Sequence, residues 1–214
     1  TFTIGLPALG TTFVSCFGYI AFARMVSGMG TTIFAAHSIA ITAEQIVYIP
    51  GYGLRVATST LVGNALGEKD IRKLKATERV SILITLLIMV VNGIGLYLFA
   101  YPFMRLFTNS VNAARIGSEM LRLVSFSEPF FGLMIVLEGI SYGMGRTKHV
   151  FACEAVSMWG IRIFGTFLCV NVFGLGLKAV WLCMIADNIC KAILLYIFRP
   201  KHVEENADDR GELR

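Results

Sequence analysis

The stretch AAHSIAITAEQIVYIPGYGLRVATSTLVGNALGEKD, residues 35–70, decides the class of fold. It is longer than the roughly 20 mostly apolar residues that cross a bilayer, yet it contains Glu44 and Arg55. A charged group at bilayer depth costs about 2.5–3.5 kcal/mol on insertion scales, so a spanning helix that keeps one usually uses it. The sequence Pro-Gly-Tyr-Gly near its middle predicts the discontinuous helix of a transporter, with a break at Pro50, Gly51 and Gly53.

Composition supports a membrane protein. The 214 residues are 56% hydrophobic and 15% charged, with a mean hydropathy of +0.69, whereas soluble domains are roughly 25% charged. We predict an all-α fold with one membrane domain, residues 1–199, and a polar cytoplasmic tail, residues 200–214. Six apolar runs predict its membrane helices: Ile4–Val26, Thr32–Leu66, Val80–Tyr101, Ala113–Gly145, Val150–Val172 and Leu177–Phe198.

The positive charges indicate topology. The net charge is +5, and eleven cations follow the second, fourth and sixth runs, against at most five on the other side of the predicted membrane. The positive-inside rule then makes both chain ends cytoplasmic. We therefore expect a multi-pass protein of the plasma (inner) membrane, with the lipid bilayer as its partner and no nucleic acid.

Metal and enzyme chemistry have no motif in this chain. The five cysteines lie inside apolar runs without a CxxC pair, and the three histidines have no metal-ligand spacing. HExxH, P-loop and GxSxG sequences are also absent from the sequence. We expect no metal, no cofactor and no catalytic residues.

Two pairs of opposite charges are predicted from depth along the helices. Arg162 and Asp187 are nearly equidistant from Leu175, so an antiparallel hairpin places them face to face near the midplane. Arg55 and Glu138 both lie in the inner half and are expected to pair, either as a permanent brace or as a latch present in one conformer. Glu154 and Lys191 lie nearer the inner surface, where snorkelling to water is the expectation.

Three carboxylates are candidates for handling a coupling ion: Glu44, Glu128 and Glu138. Glu44 and Glu128 lie at similar depths in the outer half, so two carboxylates facing one cavity could hold a cation, or one could carry a proton. Pro129 predicts a second helix break, beside Glu128. An aromatic cation could be bound by rings that line the cavity, for which the candidates are Tyr19, Tyr48, Tyr52 and Phe131.

The residues 23–70, together with GLP at 5–7, resemble the start of the carboxy-terminal half of the MATE (multidrug and toxic compound extrusion) family. The sequence SEPFFGLMIVLEGISYGMGRTK, residues 127–148, is similar to the family's tenth helix and the loop after it. The resemblance covers residues 4–200. It implies six of twelve helices, which form one lobe of a two-lobed bacterial transporter whose amino-terminal lobe is the partner.

The resemblance also implies a function: export of organic cations by alternating access, in exchange for Na+ or H+. Glu44 falls where bacterial members commonly have a glutamate, whereas Phe131 stands where many members have an acid in the tenth helix. Two alternatives stay open. A flippase for lipid-linked saccharides has a related fold and predicts a strongly cationic cavity. The other is a non-transporting scaffold, which predicts neither buried charge pairs nor a broken helix, or an intramembrane enzyme, for which no motif is present.

Overall fold

The computed structural model describes residues 2–198, with side chains from residue 9 onward. The predicted tail at 200–214 lies outside the described residues. A π-helical segment, Met158–Ile163, joins α6 to α7, and another, Leu168–Val172, continues α7. The α-helices are α1 (Phe2–Ser27), α2 (Thr31–Gly67), α3 (Ile71–Phe107), α4 (Val111–Ser125), α5 (Glu128–Gly143), α6 (Thr147–Ser157), α7 (Phe164–Phe167) and α8 (Leu177–Ile197).

Six membrane spans account for these helices. Within residues 2–198, five helical stretches are long and apolar enough to cross a bilayer, the fourth of which combines α6, α7 and the π-helical segments. The pair α4 and α5 forms a sixth span that is bent by 61°. The predicted all-α membrane fold is confirmed, but the run predicted as one helix over residues 113–145 is two helices.

The bend between α4 and α5 lies just before Pro129. Phe126 and Ser127 separate the two helices, and Pro129 occupies the first turn of α5. Proline is tolerated there because the first turn has no intrahelical partner for its missing N–H. The interruption in this span therefore lies beside Pro129, where the sequence predicts a helix break.

The predicted break at Pro50 is wrong. The α2 helix runs without interruption through Pro50. Proline removes one intrahelical hydrogen bond, but neighbouring helices in a membrane can satisfy the backbone groups around it. Here Asn92 of α3 donates a hydrogen bond from Nδ2 to the carbonyl of Val47, three residues before the proline, at 3.1 Å.

The two glycines near Pro50 are helical as well, so they form no hinge. Gly51 serves close packing, because a Cβ added there would lie 2.9 Å from the Met89 Cε of α3. Gly53 faces open space, with no atom within 4 Å of an added Cβ. A Pro-Gly sequence is thus compatible with a helix that is not interrupted.

The third helix starts earlier than the predicted residue 80. The Asp70 side chain caps α3 by accepting a hydrogen bond from the Lys73 backbone N–H at 2.9 Å, so the charged segment 71–79 is helical. At 1.5 Å per residue, 37 residues make a helix about 55 Å long. Since a bilayer core is about 30 Å thick, α3 extends well beyond it. The cationic segment between the second and third predicted runs is therefore mostly the first turns of this helix.

The buried apolar residues form two clusters, one toward each end of the helices. Along α2, the first cluster includes Ala43 and the second includes Tyr48; along α8, the corresponding residues are Met184 and Ala192. Between them, the same helices carry buried or partly buried polar side chains, so a polar level divides the core. Its members are Glu44 on α2, Asn92 on α3, Glu128 on α5, Arg162 on the first π-helical segment, and Asp187 on α8.

The α2 and α5 helices touch through two glycines of α5. A Cβ added to Gly139 would lie 2.7 Å from the Arg55 carbonyl oxygen, and one added to Gly143 would lie 2.6 Å from the Ser59 carbonyl oxygen. Small residues four apart permit this backbone approach in membranes. The glycine pair thus serves packing within the chain.

We predict that Gly139→Ala lowers the melting temperature of the full-length protein in detergent, whereas Gly53→Ala does not. The added methyl at Gly139 meets a backbone carbonyl and forces α2 and α5 apart, at a cost of about 1–3 kcal/mol. At Gly53 the methyl has room, and alanine favours a helix over glycine. Equal melting temperatures for the two variants would contradict the close contact at Gly139.

Candidate functional site

A cavity of about 580 Å³ opens at the polar level of the lobe. Its lining comes from α1, α2, α5, α6, the first π-helical segment and α8. The structure places all four aromatic candidates on its wall: Tyr19, Tyr48, Tyr52 and Phe131. Two of the three carboxylate candidates, Glu44 and Glu138, also line it.

Glu44 lies on this wall beside two stacked rings. Its carboxylate is only 3% exposed and accepts a hydrogen bond of 2.5 Å from the Tyr48 hydroxyl, one helical turn away. The Tyr48 ring stacks on Phe131 with centroids 3.7 Å apart and planes 13° from parallel. Glu44 forms no ion pair with another described residue. Its hydrogen-bond partner is the Tyr48 hydroxyl. Glu44 is thus an acid held next to an aromatic surface.

Glu128 is placed differently from Glu44, although both belong to the polar level. It is absent from the cavity lining within residues 9–198, its exposure is 0%, and neither carboxylate oxygen has a hydrogen-bond partner in the described chain. Its side chain packs against Gly93 of α3, where an added Cβ would lie 3.2 Å from the Glu128 Cβ. The two acids therefore do not line one cavity in this conformation.

Arg162 and Asp187 form a buried ion pair between the first π-helical segment and α8. Arg162 Nη2 lies 2.8 Å from Asp187 Oδ2, and both side chains are nearly inaccessible. Arg162 also lies over the Tyr19 ring, 5.5 Å from its centroid. The Ser157 hydroxyl donates to both the carbonyl and the carboxylate of Asp187. These contacts join α1, α6 and α8 at the level of the cavity.

The π-helical turn explains how Ser157 and Arg162 reach the same aspartate. In an α-helix of 3.6 residues per turn, side chains five residues apart point about 140° away from each other. A π-helix closes its turns with hydrogen bonds between residues five apart, which brings such side chains to nearly the same face. The segment Met158–Ile163 therefore sets the geometry of the ion pair.

Arg55 and Glu138 are also brought together, across α2 and α5. Arg55 Nη1 donates to Glu138 Oε2 at 3.1 Å, and the Arg55 guanidinium lies 5.2 Å from the centroid of the Tyr52 ring. The Arg55 side chain keeps 32% of its exposure, whereas that of Glu138 keeps 9%. The Arg55 guanidinium therefore has one side toward the cavity and the other toward the Glu138 carboxylate.

A third pair was missed by the sequence reasoning. Lys191 Nζ lies 2.5 Å from Glu154 Oε2, both side chains are less than 10% exposed, and Ser15 donates to the other Glu154 oxygen at 2.7 Å. The expected snorkelling to water is wrong for both residues. The sequence did contain a signal for this pair. Glu154 lies seven residues after the start of α6 and Lys191 lies six residues before the end of α8, so the two residues are at similar depths.

Every cation of the described cavity wall is paired with an acid. Three cations line it, and each has an acidic partner: Arg55 with Glu138, Lys191 with Glu154, and Arg162 with Asp187. Glu44 is the additional acid on this wall. Within the described part of the chain, no group of three or more His, Cys, Asp or Glu side chains is arranged to hold a metal ion.

We predict that Asp187→Asn lowers the free energy of unfolding far more than Glu68→Gln. The first change leaves Arg162 buried without its counter-charge, which costs about 3–5 kcal/mol. Glu68 pairs with Lys73 at the surface, where both side chains are about half exposed and the pair contributes about 0–1 kcal/mol. Thermal unfolding of the full-length protein in detergent measures both. Equal losses would mean that the buried pair is not required for the fold.

Comparisons with known proteins place this architecture in one family. The MatE family model matches residues 7–168. The probable multidrug resistance protein NorM of Thermotoga maritima is 30% identical over 197 residues, which cover 91% of this chain and 42% of that protein. The Photorhabdus laumondii protein of the same name is 28% identical, over 92% of this chain and 44% of its own length. The chain thus spans less than half the length of these curated relatives.

Solved structures agree in fold. The Vibrio cholerae MATE transporter VcmN in its bent form superposes with a TM-score of 0.86 at 16% identity, over 96% of this chain and 47% of that one. The eukaryotic MATE transporter AtDTX14 superposes with a TM-score of 0.83 at 21% identity, over 98% of this chain and 48% of that one.

The arrangement of six spans around a charged, aromatic-lined cavity is therefore one lobe of a MATE-type fold. The chain belongs to the MatE family, whose members are multi-pass membrane transporters rather than enzymes.

Proposed function

We propose that this chain forms one lobe of a multidrug transporter that exports organic cations by alternating access, in exchange for Na+ or H+. The observation that carries the proposal is Glu44 beside the stacked rings of Tyr48 and Phe131 on the cavity wall. The relatives named as multidrug resistance proteins support the same function.

The chemistry of this wall suits a flat organic cation. The faces of aromatic rings attract cations, and a carboxylate shielded from water attracts them more strongly than an exposed one. The other charges of the wall are already paired. Glu44 is therefore the group with a charge available for a substrate or a coupling ion.

Competition for Glu44 couples the two fluxes. A cationic substrate and the coupling ion cannot both neutralise the same carboxylate, so binding of one favours release of the other. The hydrogen bond from Tyr48 positions the Glu44 carboxylate for either occupant. Glu44 is therefore the first candidate of this lobe for binding the coupling ion.

Glu128 is the second candidate for proton coupling. An ionised carboxylate buried without a hydrogen bond is very unfavourable, and both oxygens of Glu128 lack a partner among the described residues. A proton on Glu128 removes that cost. Release of this proton requires a conformation in which the contact between α5 and Gly93 opens. Glu138 ranks third because Arg55 already neutralises it.

The flippase alternative fits the cavity less well. A lipid-linked saccharide carries phosphate charges and calls for an excess of cations in the cavity. Here the three lining cations are all paired with acids, and Glu44 adds a further negative group. The balance of charge on this wall favours cationic substrates.

The proposed setting is the plasma membrane, with the second lobe as partner. The cationic residues near the inner ends of α2 and α5 support a cytoplasmic position for those ends, by the positive-inside rule. The cavity then opens toward the amino-terminal lobe that the family's transporters carry. Substrate transport requires both lobes.

Dye efflux tests the function and the role of Glu44. Full-length protein in everted vesicles should move a fluorescent organic cation when a Na+ or H+ gradient is imposed. Glu44→Gln keeps the shape of the side chain and removes its charge, so we expect coupled flux to fall at least about tenfold, which corresponds to 1.4 kcal/mol.

Glu119→Gln is the matched control for this experiment. Glu119 is an exposed acid that pairs with Lys178 at 3.2 Å, away from the cavity. Its replacement should leave flux unchanged. Absence of gradient-dependent flux across a broad panel of cationic dyes would overturn the proposed function. Intact coupling in Glu44→Gln would instead overturn only the assignment of Glu44.

The pair of Arg55 and Glu138 is proposed to be a permanent brace. We predict that Arg55→Gln and Glu138→Gln each lower the free energy of unfolding by about 1–2 kcal/mol, because each removes a partly exposed charged hydrogen bond. Each variant should therefore have a lower melting temperature. The exchanged variant Arg55→Glu with Glu138→Arg should recover part of that loss. A latch gives the opposite pattern, in which the single variants change the transport rate and leave the melting temperature as it was.

A further inference from the structure

Two cysteines meet near the turn that joins the last two spans. Cys169 belongs to the second π-helical segment and Cys183 belongs to α8, and their Sγ atoms are 3.8 Å apart. Both side chains are partly buried and both are free thiols. We propose that Cys169 and Cys183 are a modification site at which a two-electron oxidant forms a disulfide within the native fold.

The geometry requires only a small movement. A disulfide has an S–S distance of about 2.05 Å, so the two sulfur atoms must approach by about 1.8 Å, given their present separation. The segment that carries Cys169 is the last one before the turn at residues 173–176, and residues 171–176 are all exposed. Rotation about the two Cα–Cβ bonds, with a slight shift there, closes the remaining gap.

Gly165 makes the space in which the Cys183 thiol lies. A Cβ added to Gly165 would be 3.3 Å from the Cys183 Sγ and 3.9 Å from its Cβ. Since glycine has no side chain, Cys183 faces the helix backbone on this side and the Cys169 thiol one turn further along. The Cys183 thiol therefore lies between the Gly165 backbone and the Cys169 thiol.

The reaction is balanced with a disulfide or azodicarboxamide compound as oxidant. Two S–H bonds break and one S–S bond forms, and two electrons and two protons pass to the oxidant. With a disulfide oxidant, one thiolate first forms a mixed disulfide, and the second thiolate then displaces the leaving thiol. Closing a loop of only 15 residues, 169–183, gives the second step a high effective concentration.

The cross-link would tie together the two helices that carry the buried ion pair. Cys169 follows Arg162 by seven residues and Cys183 precedes Asp187 by four, so the disulfide lies between the ion pair and the turn. If this turn faces outward, as the proposed orientation has it, the thiols lie on the side of the membrane where disulfides persist. The thiol chemistry itself depends neither on that orientation nor on the transport proposal.

Differential alkylation of the full-length protein in native membranes tests the proposal. Membranes are treated with the azodicarboxamide oxidant diamide and quenched, and free thiols are blocked under denaturing conditions with a light maleimide. Disulfides are then reduced and labelled with a heavy maleimide before peptide mass spectrometry. We expect the heavy label at Cys169 and Cys183 together, in equal amounts. It should be lost from both when the oxidised membranes are reduced before the light maleimide is added.

Two reciprocal variants and one control make the result specific. Cys183→Ser should abolish the heavy label at Cys169, and Cys169→Ser should abolish it at Cys183. Cys16→Ser removes an exposed thiol on α1 and should leave the pair unchanged. Light label at both positions after oxidation would overturn the proposal. So would a heavy label at Cys169 that persists in Cys183→Ser, because its partner would then be another thiol.

Discussion

Neutralisation of buried charge is the constraint on which this lobe depends. Arg162, Lys191 and Arg55 lie inside a helical bundle that belongs in a bilayer, and each has an acidic partner on a different helix. A buried charge that loses its partner is strongly destabilising, so each pair fixes the relative depth of two helices. Ser15 and Ser157 add hydrogen bonds to two of these pairs. The pairs therefore set the register of the spans that form the cavity.

The polar level explains why the cavity lies where it does. Apolar clusters pack both ends of the helices, and the acids and amides of α2, α3, α5 and α8 lie between them. Buried polar side chains need hydrogen-bond partners, and water or a ligand can supply those that the chain does not. The cavity and the unpartnered Glu128 both occur at this level. A lobe with a single continuous apolar core would be more stable and would have no site.

Sequence reasoning found what depends on spacing alone. Equal distances from one turn located Arg162 opposite Asp187, and apolar length located six spans, because both follow from the constant rise of a helix. It failed where a distant contact decides the local structure. Asn92 donates to the Val47 carbonyl beside Pro50, and α2 continues through a proline that predicts a break. No motif in residues 157–163 predicted the π-helical turn that brings Ser157 and Arg162 to Asp187.

The glycine contact between α2 and α5 has a mechanical consequence. Gly139 lies directly against the Arg55 carbonyl, and the next residue back, Glu138, binds the Arg55 side chain. Backbone and side chain of one arginine are thus held by two consecutive residues of α5. Sliding of one helix past the other would break both contacts together, and tilting about this point would separate Gly143 from the Ser59 carbonyl one turn further along. The crossing at Arg55 and Gly139 is therefore a clamp that resists both sliding and tilting between α2 and α5.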